Sequence, residues 1–310
     1  MALIPQPILV DGATHSAQQF RLLVSDLARD NEGITRGTDL KVTQLGTPGG
    51  AVQVASGTGV VRGRANTFQG SYAVANTGAT SVSIAATGGA GRSDMLILRV
   101  EDPEYEGTLN PATDQIAYFQ VIPNVSSSAT AIPDGRTGIP LARIDIPAST
   151  STITTAMIVD IRKIANPRRE RTTWTQFPTS ASADITNSNG VWQNFSTAAG
   201  WNIPVPTWAS KVKIRVDALQ LKYTNQFIGA FRGLFGASLS TQSVVLDTNS
   251  TGIHRQPAAA VDDLTVPDAY RGTTQLLRIQ ATGTSGNTGT LTADASTSFF
   301  ADIEFLEAPR

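Results

Sequence analysis

The chain has 310 residues, with 24 Lys plus Arg against 25 Asp plus Glu, 2 His and no Cys. That length accommodates two domains with cores of their own, and the absent cysteines exclude disulfides, thiolate metal sites and cysteine nucleophiles. A formal net charge of −1 with only 16% charged residues, below the roughly 25% of ordinary soluble domains, argues against nucleic acid and anionic membranes as partners.

Residues 1–10 carry two prolines and no basic leader, so no signal peptide is expected there. No run of about 18 apolar residues offers a membrane span, so no membrane insertion is expected. One amphipathic helix is predicted over about residues 16–30. Ser16 and Gln19 stand at capping-box spacing, and Phe20, Leu23, Val24 and Leu27 recur on one face. Gly33 is read as its stop. The stripe packs on a sheet or, alternatively, lies along a trimer axis.

From Leu40 to Ile164 the signals are of short strands bounded by Gly, Asn, Thr and Pro. Val52–Gly63 reads as strand, glycine turn, strand. Met95 to Val100 is apolar on both phases apart from Arg99, which suits a strand covered on both faces. Ile116 to Ile122 and Leu141 to Ile146 follow, and Pro123, Pro133, Pro140 and Pro147 are expected at strand ends or turns because proline cannot donate to a ladder. Spacings of roughly 8–12 residues imply a sandwich or barrel. The first domain is placed at 1–165. Residues 166–173 are charged and free of apolar side chains, and are read as a solvated linker in preference to a nucleic-acid patch.

The second domain is placed at 174–310. Lys211–Asp217 alternates, with Val212, Ile214 and Val216 inward; Leu219, Leu221 and Tyr223 continue inward after a phase slip at Ala218, which implies a bulge. Phe227 to Phe235 is a strand interrupted by Gly229 and Gly233. Leu276 to Ala281 and Phe299 to Phe305 complete the core, with the glycine-rich loop 283–289 between them. The expected fold class is therefore mainly β: a β-rich sandwich or barrel-like domain with one short helix, then an antiparallel β-sandwich of jelly-roll type.

Chemistry is thinly represented. His15 and His254 lie in different predicted domains, so neither a Ser-His-Asp triad nor a multi-histidine zinc site assembles from the sequence. His15 is read as a capping or surface residue, and His254, in a loop, as a candidate ligand contact. Gly57–Gly63 misses the dinucleotide fingerprint by one glycine position and no helix follows. The acidic cluster Asp102–Gly107 lacks calcium-loop spacing and is read as a solvated turn, with a calcium site as the alternative. No catalytic, cofactor or metal residue is assigned. Trp192, Trp201 and Trp208 are read two ways: as core or interface anchors, or, with amides such as Gln193 and Asn194 beside them, as glycan contacts.

Val52–Gly63, Gln69–Asn76, Arg92–Tyr105, Ile139–Pro147 and Ile158–Arg162 together, spanning about residues 38 to 164, resemble the N-terminal domain of tail-tip, baseplate or minor tail proteins of long-tailed bacteriophages of actinobacterial hosts. Ser93 departs from the Ile or Leu common before the aspartate in that pattern. The resemblance implies a homotrimeric virion protein made in the host cytoplasm. Its N-terminal domain would attach to other tail-tip proteins, and its distal domain would face host-surface glycans. The alternatives are a free carbohydrate-binding module or adhesin, and a surface-polysaccharide depolymerase. A non-enzymatic role is expected.

Overall fold

The computed structural model describes residues 7–178, 184–195 and 200–310; residues 1–6, read above for a leader, lie outside the described residues. Two compact units divide the chain, Met1–Pro167 with Ala308–Arg310, and Arg168–Glu307.

The first unit holds the helix α1, Ala17–Ala28. Its strands are β1 (Gly33–Ile34), β2 (Val42–Gln44), β3 (Ala51–Val54), β4 (Gly57–Arg62) and β5 (Ser71–Asn76). They continue as β6 (Thr80–Ser83), β7 (Arg92–Val100), β8 (Ala117–Val125), β9 (Gly138–Ile146) and β10 (Ile158–Asp160). These form three antiparallel sheets, ordered β1-β4-β5, β2-β3-β6 and β10-β9-β7-β8. The doubly apolar strand β7 is covered on both faces. Leu96, Leu98 and Val100 point into the larger core, and Met95 and Ile97 into a smaller one.

Several expectations change here. β3 and β4 do not pair with each other; they enter different sheets. Gly57, at φ 152, permits the crossing, because a Cβ there would sit 2.5 Å from that of Asp39. The Asp39 carboxylate holds the corner by accepting from the amides of Arg36 and Thr58 at 3.2 and 3.3 Å. Pro123 and Pro140 lie inside strands. β8 is an edge strand whose pairing shifts register beside Pro123, and Pro140 sits at the shift between Leu96 and Ile97, the two settings where a missing donor is tolerated.

The capping box of α1 is made by Ser16 and Gln19. The buried face, however, is Arg21, Ser25 and Ala28, while Phe20 and Leu27 are 48% and 69% exposed. A Cβ on Gly70 would lie 2.6 Å from the Arg21 carbonyl carbon, so the helix rests almost on backbone and only a glycine fits beneath it. Arg29 in the left-handed region, φ 53, closes the helix in place of Gly33. The acidic turn is no free loop either. Arg21 donates to Glu104 at 2.8 Å and to the Tyr105 hydroxyl at 2.9 Å, lies 3.4 Å from Asp102, and gives its Nε hydrogen to the Gln69 carbonyl at 2.8 Å.

The second unit begins with β11 (Arg169–Gln176), β12 (Asp184–Ile185), β13 (Gln193–Asn194), β14 (Gly200–Pro204), β15 (Lys211–Thr224) and β16 (Ile228–Phe235). It goes on through β17 (Leu239–Ser240), β18 (Val244–Asp247), β19 (His254–Thr265), β20 (Thr274–Gly283), β21 (Thr290–Thr292) and β22 (Ser298–Leu306). The stretch expected as a linker is thus largely strand β11. It is an edge strand whose exposed Arg169 and Arg171 pair with Glu304 and Asp302 of β22, while Trp174 farther along packs against the core.

One sheet runs β11-β22-β15-β19, with β21 and β12 beside the far half of β15; the other runs β14-β20-β16-β18, with β13 and β17 extending its edges. In chain order the main strands change sheet at every step except β16 to β18, the jelly-roll path. Phe195, Trp201, Phe231, Phe235, Phe299 and Phe305 fill the space between the sheets, each such burial favouring folding by about 1.5–3 kcal/mol. Along β15 the residues Val212, Ile214, Val216 and Ala218 point inward, then Leu221 and Tyr223. The bulge lies between Ala218 and Leu221, with Gln220 at φ 61, so Leu219 is turned outward and 40% exposed. β16 runs unbroken through Gly229 and Gly233, both on its inward side.

Candidate functional site

The jelly-roll presents two outer faces built on the same alternation and dressed differently. On the first sheet the register sets Glu304 opposite both Arg171 and Lys213, and Lys213 opposite Asp263. Asp302 likewise stands opposite Arg215. Charges of opposite sign therefore neighbour one another across strands, which is the stabilising arrangement. Arg171 bonds Asp302 at 2.5 Å, Arg215 bonds Asp217 at 2.9 Å and Arg169 pairs with Glu304. Arg171, Lys213, Arg215, Asp302 and Glu304, with Val261, line a recess of about 530 Å³. The bond from Arg171 holds the Asp302 carboxyl below its ordinary range. A paired, acidified carboxylate is poorly suited to donate a proton.

The second sheet's outer face carries a polar cluster in which, among the described residues, no ion pair forms. Outward positions on β16 alternate with the buried Gly229, Phe231, Gly233 and Phe235, so Arg232 faces out. Gln280 of β20 lies directly beside it, and Asn194 of β13 beside Gln280. The three side chains form a chain: Arg232 Nε donates to Gln280 Oε1 at 2.9 Å, and Gln280 Nε2 donates to Asn194 Oδ1 at 2.9 Å. The Arg232 guanidinium stands 4.1 Å over the Trp192 ring, a close cation–π stack. Burial alone pulls Arg232 below the ordinary guanidinium range.

The structure scatters the remaining residues singled out by sequence. Trp192 and Asn194 belong to this shelf, with Gln193 exposed at its edge. Trp201 faces inward on β14 opposite Leu277 and is 6% exposed, a core residue. Trp208 packs half-buried against the core beneath Arg168, whose guanidinium is 5.2 Å from the ring and bonds Glu307 at 2.9 and 2.7 Å. His254 starts strand β19 of the first sheet, stacked on Tyr223 at 5.2 Å and 13° with Nδ1 3.2 Å from the Gly252 carbonyl. It shares no sheet with Trp192. Arg232 and Gln280 are the members of this shelf that sequence reading missed. The Phe231 and Phe235 spacing marks Arg232 as outward, but nothing local names its partner. Among the described residues no group of three or more His, Asp or Glu is placed to hold a metal ion.

No family model and no curated protein matches the chain. Solved structures that match include that of infectious bursal disease virus Gx strain, at 11% identity over 89% of this chain and 74% of that one, with a TM-score of 0.26. The crystal structure of the infectious bursal disease virus VP2 subviral particle matches at 14% identity, 90% and 74% coverage and a TM-score of 0.25. A crystal structure of a complex with neoagarooctaose matches at 12% identity, 82% and 32% coverage and a TM-score of 0.22. Likenesses this slight carry neither fold nor function to this chain.

Proposed function

We propose that this chain is a non-enzymatic structural protein of a bacteriophage tail tip or baseplate, a minor tail or upper-fibre component. In this reading it is a homotrimer, anchored to other tail-tip proteins by its first unit and turned toward host-surface glycans by its second. The observation that carries the reading is the outward shelf of Trp192, Arg232, Gln280 and Asn194 on a rigid jelly-roll frame: a ring, amides and an open guanidinium on strands, the materials of a binding face. The resemblance through residues 38 to 164 supports the anchoring role.

A non-catalytic role is favoured by the carboxylates that depart from their ordinary values. Asp134, Asp145, Asp294 and Asp302 are all lowered, chiefly by bonds from arginines, whereas a glycosidase needs a carboxylic acid held up. Exposed Phe20 and Leu27 on α1 supply apolar surface for self-association.

The test is the mass of the native chain in solution together with its retention on host wall preparations. A trimer that binds wall polymer and releases no reducing ends is the expected result. A stable monomer would favour a free carbohydrate-binding module, and release of reducing ends would overturn the non-enzymatic role.

A further inference from the structure

The second unit leaves Arg232 without the carboxylate that most of its other arginines hold among the described residues. Arg168, Arg171, Arg215 and Arg255 each hold a carboxylate. Among the described residues no carboxylate pairs with Arg232, and the residues of this unit outside the description, 179–183 and 196–199, are only Thr, Ser and Ala. Among the described residues no charge compensates it, and desolvation is what shifts it. Gln280 is 6% exposed and uses Oε1 on Arg232 Nε and Nε2 on Asn194. That relay fixes the guanidinium plane over Trp192 and leaves the two terminal nitrogens of the fork with no acceptor among the described residues. Arg278, two residues before Gln280 on the same outward phase of β20, is exposed and adds a second cation without a carboxylate partner among the described residues.

A fork held by one edge, stacked on a ring and free at its tip matches the planar, two-oxygen geometry of a carboxylate or phosphate. Neutral sugars are served less well, because they stack on an open aromatic face and here the guanidinium covers one face of Trp192. A nucleic-acid track needs many phosphate contacts, and the face offers two arginines.

Resting on the attachment reading above, we infer that the shelf is an anion subsite: Arg232, positioned by Gln280 and Trp192, takes the oxyanion of an acidic wall glycopolymer, with Arg278 close by as a second cation. The ligand class is a polymer whose repeat bears a uronate carboxylate or a phosphodiester.

Calorimetric titration of the full chain with oligogalacturonate, its neutral methyl ester, poly(glycerol phosphate) and single-stranded DNA tests this. Binding to one acidic glycopolymer at least about tenfold tighter than to the ester is expected, and whichever of the carboxylate and phosphate polymers binds tighter identifies the anion. Arg232→Gln is expected to weaken that binding by about tenfold or more and Arg278→Gln by about two- to threefold, with the mass and melting temperature of each unchanged. Gln280→Glu is the decisive variant. An isosteric carboxylate would neutralise Arg232 internally, so binding is lost while the melting temperature holds or rises, a result that a merely structural Gln280 would not give. Equal binding of ester and acid, an unaffected Arg232→Gln, or preference for DNA overturns the inference. Of these, equal binding of the neutral ester leaves the attachment reading standing; failure to bind any wall polymer removes both.

Discussion

Arg21 and Arg232 are both drawn back from solvent, one under the helix of the first unit and one on the outer sheet of the second, and their surroundings oppose each other. Arg21 meets Asp102, Glu104, Tyr105 and the rings of Tyr72 and Tyr105. Burial alone would lower it, but the bonds to Glu104 and Tyr105 leave it above the ordinary guanidinium range. Arg232 has a ring and an amide but no counter-charge, and burial leaves it below that range. A cation that holds the fold arrives with its own anions. One that is held in place yet left unneutralised is available to an anion from outside.

The contrast can be broken in several ways, beginning with the largest effect. Arg21→Met strips the staple from α1 and leaves Asp102, 9% exposed, without its cation. A loss of about 3–5 kcal/mol is expected in denaturant unfolding, as for one partner removed from a buried pair. A loss below about 1 kcal/mol would mean that the helix is held by something else. Adding Asp102→Asn to that variant removes the stranded charge and is expected to restore part of the stability.

Tyr223 checks what burial does in the second unit when no charge compensates. Desolvation pushes its hydroxyl up to about 12, against about 10 in the unfolded chain. The folded state therefore keeps the proton longer, so the contribution is whole below about pH 10 and is lost as pH rises toward 12. Melting temperature is expected to fall across that window, and Tyr223→Phe is expected to flatten the fall.

Arg232→Gln is expected to move stability by no more than about 0.5 kcal/mol, since it removes no buried ion pair. A large destabilisation would make Arg232 structural, like Arg21. The smallest effect belongs to the paired face of the first sheet. Asp302 is held low by Arg171, so its contribution is present above about pH 4 and disappears as pH falls through the depressed folded-state value. Asp302→Asn is expected to change melting temperature little at neutral pH and to reduce the acid-side slope slightly, because exposed pairs contribute weakly.

Much of the fold was legible wherever one face is buried and the strand is long. β15 states its inward residues by alternation as far as Ala218, though not at Leu219, β7 states its double burial by an apolar run broken only at Arg99, and Ser16 with Gln19 states the start of the helix. Legibility failed where polar or backbone contacts decided the packing. The apolar stripe of α1 lost to Arg21 because Gly70 brings backbone against the helix and the ion cluster lies below it. The charged stretch at 166–173 reads as a linker, since the first half of an edge strand whose arginines pair across to Glu304 and Asp302 shows no hydrophobic signal of its own. Of the three tryptophans weighed together, only Trp192 reached the shelf. Trp201 lies on the opposite phase of its sheet, in the core.

The sequence by itself determined that the chain is mainly β, where the long strands and the helix start lie, and that cysteine chemistry is absent, because these follow from composition and from periods of two and 3.6 residues. Only the tertiary structure decided which strands share a sheet, that Val52–Val54 and Gly59–Val61 part company, and that Arg232 meets a glutamine 48 residues away while that glutamine meets an asparagine 86 residues away. Such pairings depend on cross-strand register, which long-range packing sets and no local pattern encodes.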